Sequence, residues 1–381
     1  MYDVACIACP DYEADRVRTA LLQAIGETGT RELFAPGRTV VIKANLVSAK
    51  KPETATTTHP VLLAELTRLL KEFGCDVVVG DSPGGLYTAA HLNQVYKETG
   101  LNCITDCGGE LNKDFSHKAA HFEEARVCKD FEYTSYLDRA DVLINFCKLK
   151  THGMMGMSCA VKNLFGTIPG VFKPEYHYRF PRYEDFADML VDLNCFFKPA
   201  LVLCDAIEGM EGNGPTCGTP RHIGALLAST SPYALDVVAA ELIGLEPSDI
   251  PTVEAAAKRG LGVRKASELS VSGDPEALKV PDYNNIVTRR SLSFGVSGDS
   301  ASLFGRLAAA CLESKPKVRA SMCIACGKCA QTCPAKAIEI KKGRPVFDRS
   351  KCIRCFCCQE FCPKGALYVA RPLAARIVNH K

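Results

Sequence analysis

The chain has 381 residues, 47% apolar and 23% charged, with a formal net charge of +3. That is ample for a large core and too balanced for a disordered chain or general nucleic-acid binding. No apolar run nears the roughly 18 residues that span a bilayer, and the N-terminus Met1-Tyr2-Asp3-Val4 lacks signal-peptide regions, so a cytoplasmic location and no membrane span are expected.

Along residues 1–314 helical and strand signals alternate. Cys6 alternates with apolar neighbours in an expected edge strand. Residues 16–25 have helical spacing, Pro36-Gly37 marks a turn, and 39–46 read as a buried strand. Thr58-His59-Pro60 is a helix start with proline at the first position, and 61–73 are amphipathic up to Gly74. Residues 76–80, 141–146 and 200–204 are further strands, and 223–228 are a fourth that leads into a helix at 232–242. The alternation predicts an α/β domain, a mostly parallel sheet with helices on both faces. Residues 265–300 read as an antiparallel extension, and 314–321 as a link to a second domain. The expected division is 1–312, 313–371 and a tail at 372–381.

Polar residues gather at the expected strand ends, where open parallel sheets form their ligand crevice. Lys43 and Asn45 stand two apart, Asp81 follows the next strand, and Lys148, Lys150 and His152 alternate beyond another. Asp205 follows directly on a fourth strand. Residues 151–183, with the run Tyr176-His177-Tyr178-Arg179, read as a long lid or binding loop. The Gly-rich stretch 209–218 can approach an anion through its backbone but matches neither a Walker nor a dinucleotide motif.

Cysteine supplies the sharpest signal. Of 21 cysteines, nine lie between Cys323 and Cys362, and a chain in a reducing compartment has little use for them as disulfides. Cys323-x2-Cys326-x2-Cys329-x3-Cys333-Pro334 repeats 29 residues later as Cys352-x2-Cys355-x2-Cys358-x3-Cys362-Pro363. This is the spacing of bacterial ferredoxins, in which the fourth cysteine of each run ligates the other cluster. Two 4Fe–4S clusters are therefore expected in a small α+β ferredoxin-like domain. Cys323, Cys326, Cys329 and Cys362 hold one, and Cys352, Cys355, Cys358 and Cys333 hold the other. Zinc knuckles use two C-x2-C pairs without the triplet. Cys357 falls outside the repeat's register. The pairs Cys6-x2-Cys9 and Cys103-x3-Cys107, and Cys147, Cys159, Cys204 and Cys217, read singly as small buried fillers. Residues 315–381 carry a formal +12 and residues 1–314 a formal −9. The basic end suits anionic clusters and either an acidic redox partner or the acidic part of the same chain.

Lys43-Ala44-Asn45-Leu46, Thr58-His59-Pro60, Val79-Gly80-Asp81-Ser82-Pro83-Gly84, Lys148-Leu149-Lys150-Thr151-His152, Lys162-Asn163-Leu164-Phe165-Gly166 and Asp205-Ala206-Ile207-Glu208-Gly209-Met210-Glu211-Gly212 together resemble the family called domain of unknown function 362. The resemblance covers roughly residues 1–300. It implies a mostly prokaryotic, cytoplasmic iron–sulfur protein, often fused to a ferredoxin module, and it adds Lys162 and Asn163 to the candidate site.

Two functional classes follow. In the first, a ferredoxin-dependent oxidoreductase acts on an anionic small molecule or cofactor. Lys43, Asn45, Lys148, Lys150, Lys162 and Asn163 bind the molecule, His59 or His152 serves as general acid, and Asp81 or Asp205 orients that histidine or binds a metal. In the second, a non-catalytic electron carrier or assembly protein uses the same lysines to dock a partner. Both need an electron donor or acceptor protein. Concave burial of the lysines favours the first, a convex face the second.

Overall fold

The computed structural model describes residues 1–285 and 314–370. Strands β1 (Val4–Ala8), β2 (Thr39–Lys43), β3 (Asp76–Gly80) and β4 (Glu110–Leu111) precede a separate hairpin, β5 (His117–His121) with β6 (Asp130–Thr134). Then come β7 (Val142–His152), β8 (Gly156–Ser158), β9 (Leu201–Glu211), β10 (Thr219–Ser229) and β11 (Val271–Ser272). The sheet order is β11-β1-β10-β9-β7-β2-β3-β4, with β8 paired to β7. Neighbours from β9 through β4 are parallel, and β10 runs antiparallel to both β1 and β9. The carboxyl ends of β2, β3, β7 and β9 thus share one edge of the sheet.

Helices cover both faces. On one face α1 (Ala14–Glu27), α2 (Pro60–Glu72), α3 (Ala89–Glu98) and α4 (Cys103–Asp106) pack Val17, Leu21, Leu62, Leu66 and Leu92 against Val40, Ile42, Ile144 and Phe146. Each such fully buried leucine or valine contributes roughly 1.5–3 kcal/mol. On the other face lie α5 (Ala160–Asn163), α6 (Lys173–Arg179), α7 (Tyr183–Phe197), α8 (Pro232–Leu242) and α9 (Pro251–Lys258). Capping fixes where several begin. His59 Nδ1 accepts the Val61 N–H at 3.4 Å ahead of Pro60, and Ser231 Oγ accepts the Ala234 N–H at 3.2 Å ahead of Pro232.

Several sequence expectations need correction. Residues 151–183 are not a loop, because β8, α5 and α6 occupy much of the stretch. β1 is not an edge strand, since β11 pairs beyond it in parallel rather than antiparallel. Residues 286–300, Cys311 and the 372–381 tail lie outside the described residues, as does the 312/313 boundary. Residues 314–321 are not a plain link. Lys315–Val318 form β12, which pairs with β15 (Leu367–Ala370) inside the second domain. Between them lie α10 (Lys328–Gln331), the β13 (Ile338–Lys341) and β14 (Arg344–Phe347) hairpin, and α11 (Cys357–Glu360).

The 29-residue repeat is also a backbone repeat. Left-handed residues recur at Ala325 and Arg354, at Gly327 and Phe356, and at Lys336 and Gly365. Three of the six are neither glycine nor lysine, so the fold imposes the conformation on residues that resist it. This domain sits tightly on the first. Gln359 Nε2 donates to the carbonyls of Asn213 (2.8 Å) and Gly214 (3.0 Å), and Thr216 Oγ1 donates to the Glu360 carbonyl at 3.0 Å. Cys355, Phe356 and Cys357 pack with Met154, Met155 and Phe165. At Gly84 a Cβ would collide with the Phe361 ring, so only glycine allows that approach.

Candidate functional site

The strand-end residues separate into two groups. In the first, Lys43 Nζ pairs with Asp81 at 2.8 Å and donates to Asn163 Oδ1 at 2.9 Å. Asn45 Nδ2 reaches the same Asn163 oxygen at 2.9 Å, and Asn45 Oδ1 accepts from Lys150 Nζ at 2.8 Å. Asp81 also takes the N–H groups of Leu46 and Ser82, at 2.7 and 2.9 Å. These side chains line a cavity of about 340 Å³, joined by Lys162, Lys173 and His177. At Gly166 a Cβ would fall on the Lys43–Asp81 pair, so the close approach requires glycine.

The second group does not reach the cavity. Lys148 Nζ pairs with Asp205 at 2.8 Å and donates to the Tyr12 hydroxyl at 2.9 Å. Tyr12 donates to the other Asp205 oxygen at 2.9 Å, and the His59 N–H reaches Asp205 at 3.0 Å. The His59 ring stacks on Tyr12 at 3.6 Å, and burial pushes it down to about 4. Lys148 is 1% exposed and Asp205 0%, and neither lines the cavity with His59. The expected single crevice is therefore corrected. Lys148, Asp205 and His59 form a closed knot that ties the α1 and α2 entries to β7 and β9.

His152 stands behind the cavity wall. Its Nδ1 accepts the N–H groups of Met154 and Met155 at 3.1 and 3.2 Å, which leaves the ring proton on Nε2. That nitrogen lies 3.0 Å from Glu360 Oε1, a close contact poorly aligned for a hydrogen bond. Burial pushes His152 down to about 4. Burial works against the charged Glu360, but His152, Lys162 and His177 outweigh it and hold the carboxyl at about 2.

Glu360, Lys173 and His177 are absent from the candidate set, although His177 stands in the run read as a lid or binding loop. Lys173 and His177 are four apart on α6, so they share a helix face, and Pro174 in the first turn was an available signal. Lys173 Nζ donates to the Ser82 carbonyl. Burial, with Lys43 and Lys162 nearby, pushes Lys173 down to about 7. Burial and the neighbouring Lys162 and Lys148 do the same to Lys150. His177 stacks on Phe186 at 4.3 Å, its Nδ1 has no partner among the described residues, and burial pushes it down to about 3.

The second domain closes the cavity with Glu360, Phe361, Cys362 and Pro363, and with Lys328 at the rim. Cys362 also lines a second, smaller cavity together with Cys323, Cys326 and Cys329. Cys352 and Cys358 lie within electrostatic reach of Cys355 and Cys333. The Ala337 N–H donates to Cys333 Sγ at 3.3 Å and the Ala366 N–H to Cys362 Sγ at 3.2 Å, the bonds that thiolate ligands of iron–sulfur clusters accept. The donor set and its amide bonds fit such clusters. Cys357 is instead 1% exposed in the interface core.

Cys147, Cys159 and Cys204 also gather, with Cys159 Sγ 3.6 Å from Cys147 and 3.5 Å from Cys204. They lie in the apolar core on the far face of the sheet, where burial pushes the Cys147 and Cys159 thiols up. Burial also opposes a charged Cys204, but hydrogen bonds with Cys147 and Cys159 outweigh it and bring that thiol down to about 6. No helix among the described residues is long and apolar enough to cross a membrane.

Comparison with known proteins places this arrangement. The lactate racemase apoprotein of Thermoanaerobacterium thermosaccharolyticum superposes with TM-score 0.39 and 13% identity, over 60% of this chain and 54% of that one. A Thermotoga maritima protein gives 0.37 and 10%, over 57% and 56%. The chain thus spans little more than half of either structure, and neither likeness bears on function. A protein of Synechocystis sp. called thylakoid-associated is 31% identical over 302 residues, covering 77% of this chain and 90% of that relative. A 4Fe-4S dicluster domain matches residues 322–366. Residues 40–241 match the domain of unknown function DUF362, and with the Synechocystis relative this establishes that the chain belongs to the DUF362 family.

Proposed function

We propose that the chain is an iron–sulfur oxidoreductase that passes electrons to an anionic small molecule held in the 340 Å³ cavity. One observation carries the reading: Cys362 shares that cavity with Lys43, Lys150 and Lys162. Two 4Fe–4S clusters, one on Cys323, Cys326, Cys329 and Cys362 and one on Cys352, Cys355, Cys358 and Cys333, supply electrons one at a time. The lysines sit in a concave, largely buried site, which suits a ligand better than a docking face.

The chain's own residues divide the work. Lys43 is neutralised by Asp81 and, with Asn45 and Asn163, builds a rigid floor. Lys162 and Lys150 attract the anion. Lys150 and Lys173, both at about 7, are placed as proton donors near neutral pH. They take the role first assigned to His59 and His152. A two-electron reduction consumes two electrons from an external reduced carrier protein and two protons. The ammonium groups give the protons and recover them from solvent.

The test is anaerobic. The holoprotein is reduced chemically, and compounds recovered from it by mass spectrometry are added back. Reoxidation of the reduced protein by one of them, lost in Lys162→Met with iron content intact, supports the proposal. Reoxidation unaffected in Lys162→Met refutes it.

A further inference from the structure

The cavity holds more positive charge than its own carboxylates balance. Lys43, Lys150, Lys162 and Lys173 reach it from separate elements, and among the described lining residues only Asp81 and Glu360 oppose them. Asp81 is committed to Lys43 and Glu360 lies beside His152. Lys150 finds only neutral acceptors, Asn45 Oδ1 and the Thr56 carbonyl. Lys173 finds the Ser82 carbonyl. Lys162 has no hydrogen-bond or ion-pair partner among the described residues.

Two of these ammonium groups flank the same ring. Lys162 Nζ lies 5.4 Å and Lys173 Nζ 5.9 Å from the centre of the same Phe165 ring. Glu360 acts on Lys162, and Asp81 and Glu360 on Lys173, only at a distance, so burying both ammonium groups beside one ring carries a cost that a bound anion offsets. With Lys150 and Lys173 protonated, as a bound anion makes them, the inner cavity has an excess of two positive charges for that anion to meet. A four-thiolate cluster at Cys362 brings a charge of about −2, and Lys50 and Lys328 stand at the rim to meet it.

We infer that the ligand carries at least two negative charges, as a dicarboxylate or phosphate ester does, with one doubly charged end seated between Lys162 and Lys173. This rests on the anionic-ligand reading above and narrows it. A monocarboxylate leaves one inner ammonium unmatched. Since burial holds Lys150 and Lys173 near neutrality, a dianion also draws protons onto them, and its binding weakens as pH rises above about 7.

The experiment is calorimetric titration of the anaerobic holoprotein with pyrophosphate, citrate and acetate at constant ionic strength. At least one polyanion is expected to bind ten-fold or more tighter than acetate, with proton uptake at pH 8. Lys162→Met removes that preference. Lys162 makes no hydrogen bond or ion pair among the described residues, and the Glu360 carboxyl that it supports keeps His152 at 3.0 Å, so unchanged iron content and melting temperature check the fold. Lys150→Met is the second variant, and Lys50→Met at the rim changes affinity less than threefold. The inference falls if neither polyanion exceeds acetate, or if the preference survives both inner variants. If polyanions bind but no compound reoxidises the reduced protein, the oxidoreductase reading fails and this one stands. If a monoanion reoxidises it while polyanions bind no tighter, the reverse holds.

Discussion

Lys148→Met separates a structural lysine from a ligand-binding one. The substitution keeps most of the side-chain volume and removes the charge that pairs with Asp205 at 2.8 Å, both groups being within 1% of full burial. Removing one partner of a buried pair costs about 3–5 kcal/mol. Asp205 keeps three donors, the Tyr12 hydroxyl and the N–H groups of His59 and Ile207. That places the loss at the lower end, about 3 kcal/mol. At roughly 2 °C per kcal/mol for a chain of this size, the melting temperature falls by about 6 °C. Lys148→Met combined with Asp205→Asn removes the orphaned charge and recovers part of the loss. The assay is thermal unfolding of the anaerobic holoprotein, with iron content and anion affinity measured on the same samples. Lys162→Met gives the opposite pattern, unchanged melting and lost affinity. A Lys148→Met protein that melts normally but no longer binds anions would refute the division of the lysines into two groups.

Gly166→Ala drives a methyl group into the Lys43–Asp81 pair, so it lowers stability by about 1–3 kcal/mol and abolishes anion binding in the same titration. His152 and His177 are neutral in the fold at about 4 and 3, well below the ordinary 6.5. The unfolded chain therefore takes up protons first as pH falls, and stability present above 6.5 is lost towards 4, at about 1.4 kcal/mol per pH unit for each histidine. Melting curves of His177→Phe between pH 7 and 5 should fall less steeply than those of the native chain, and an equal slope counts against that protonation state. Anaerobic iron and sulfide analysis should give about eight irons per chain, and Cys362→Ser about four. Full iron in that variant excludes Cys362 as a ligand.

Much of this architecture is written locally in the chain. Asp76–Gly80 and Pro232–Leu242 can be read to the residue, because a valine run after Gly74 and a capped Ser-Pro start need no distant partner. β7 and β9 run six or seven residues past their expected ends. Nothing local shows that Lys148 and Asp205 neutralise each other across the sheet or that Lys150 bonds Asn45 and the Thr56 carbonyl. The division of the site is hidden for the same reason. Strand alternation places Lys148 and Lys150 on one face, but only the folded chain brings Tyr12 to one and Asn45 to the other. Glu360 escaped notice because its partner His152 is 208 residues away in sequence.

The ferredoxin-like domain supplies one wall of the cavity and also covers Met154, Met155 and Phe165 through Phe356 and Cys357. On the proposed function, cluster assembly would govern access to the cavity as well as supply electrons. If the cysteine loops need metal for their order, a chain without iron would leave the α/β half with an open, apolar, positively charged basin in place of the closed cavity. Oxidative loss of the proposed clusters would return the mature protein to that condition by removing the wall that Glu360, Phe361 and Cys362 give the cavity.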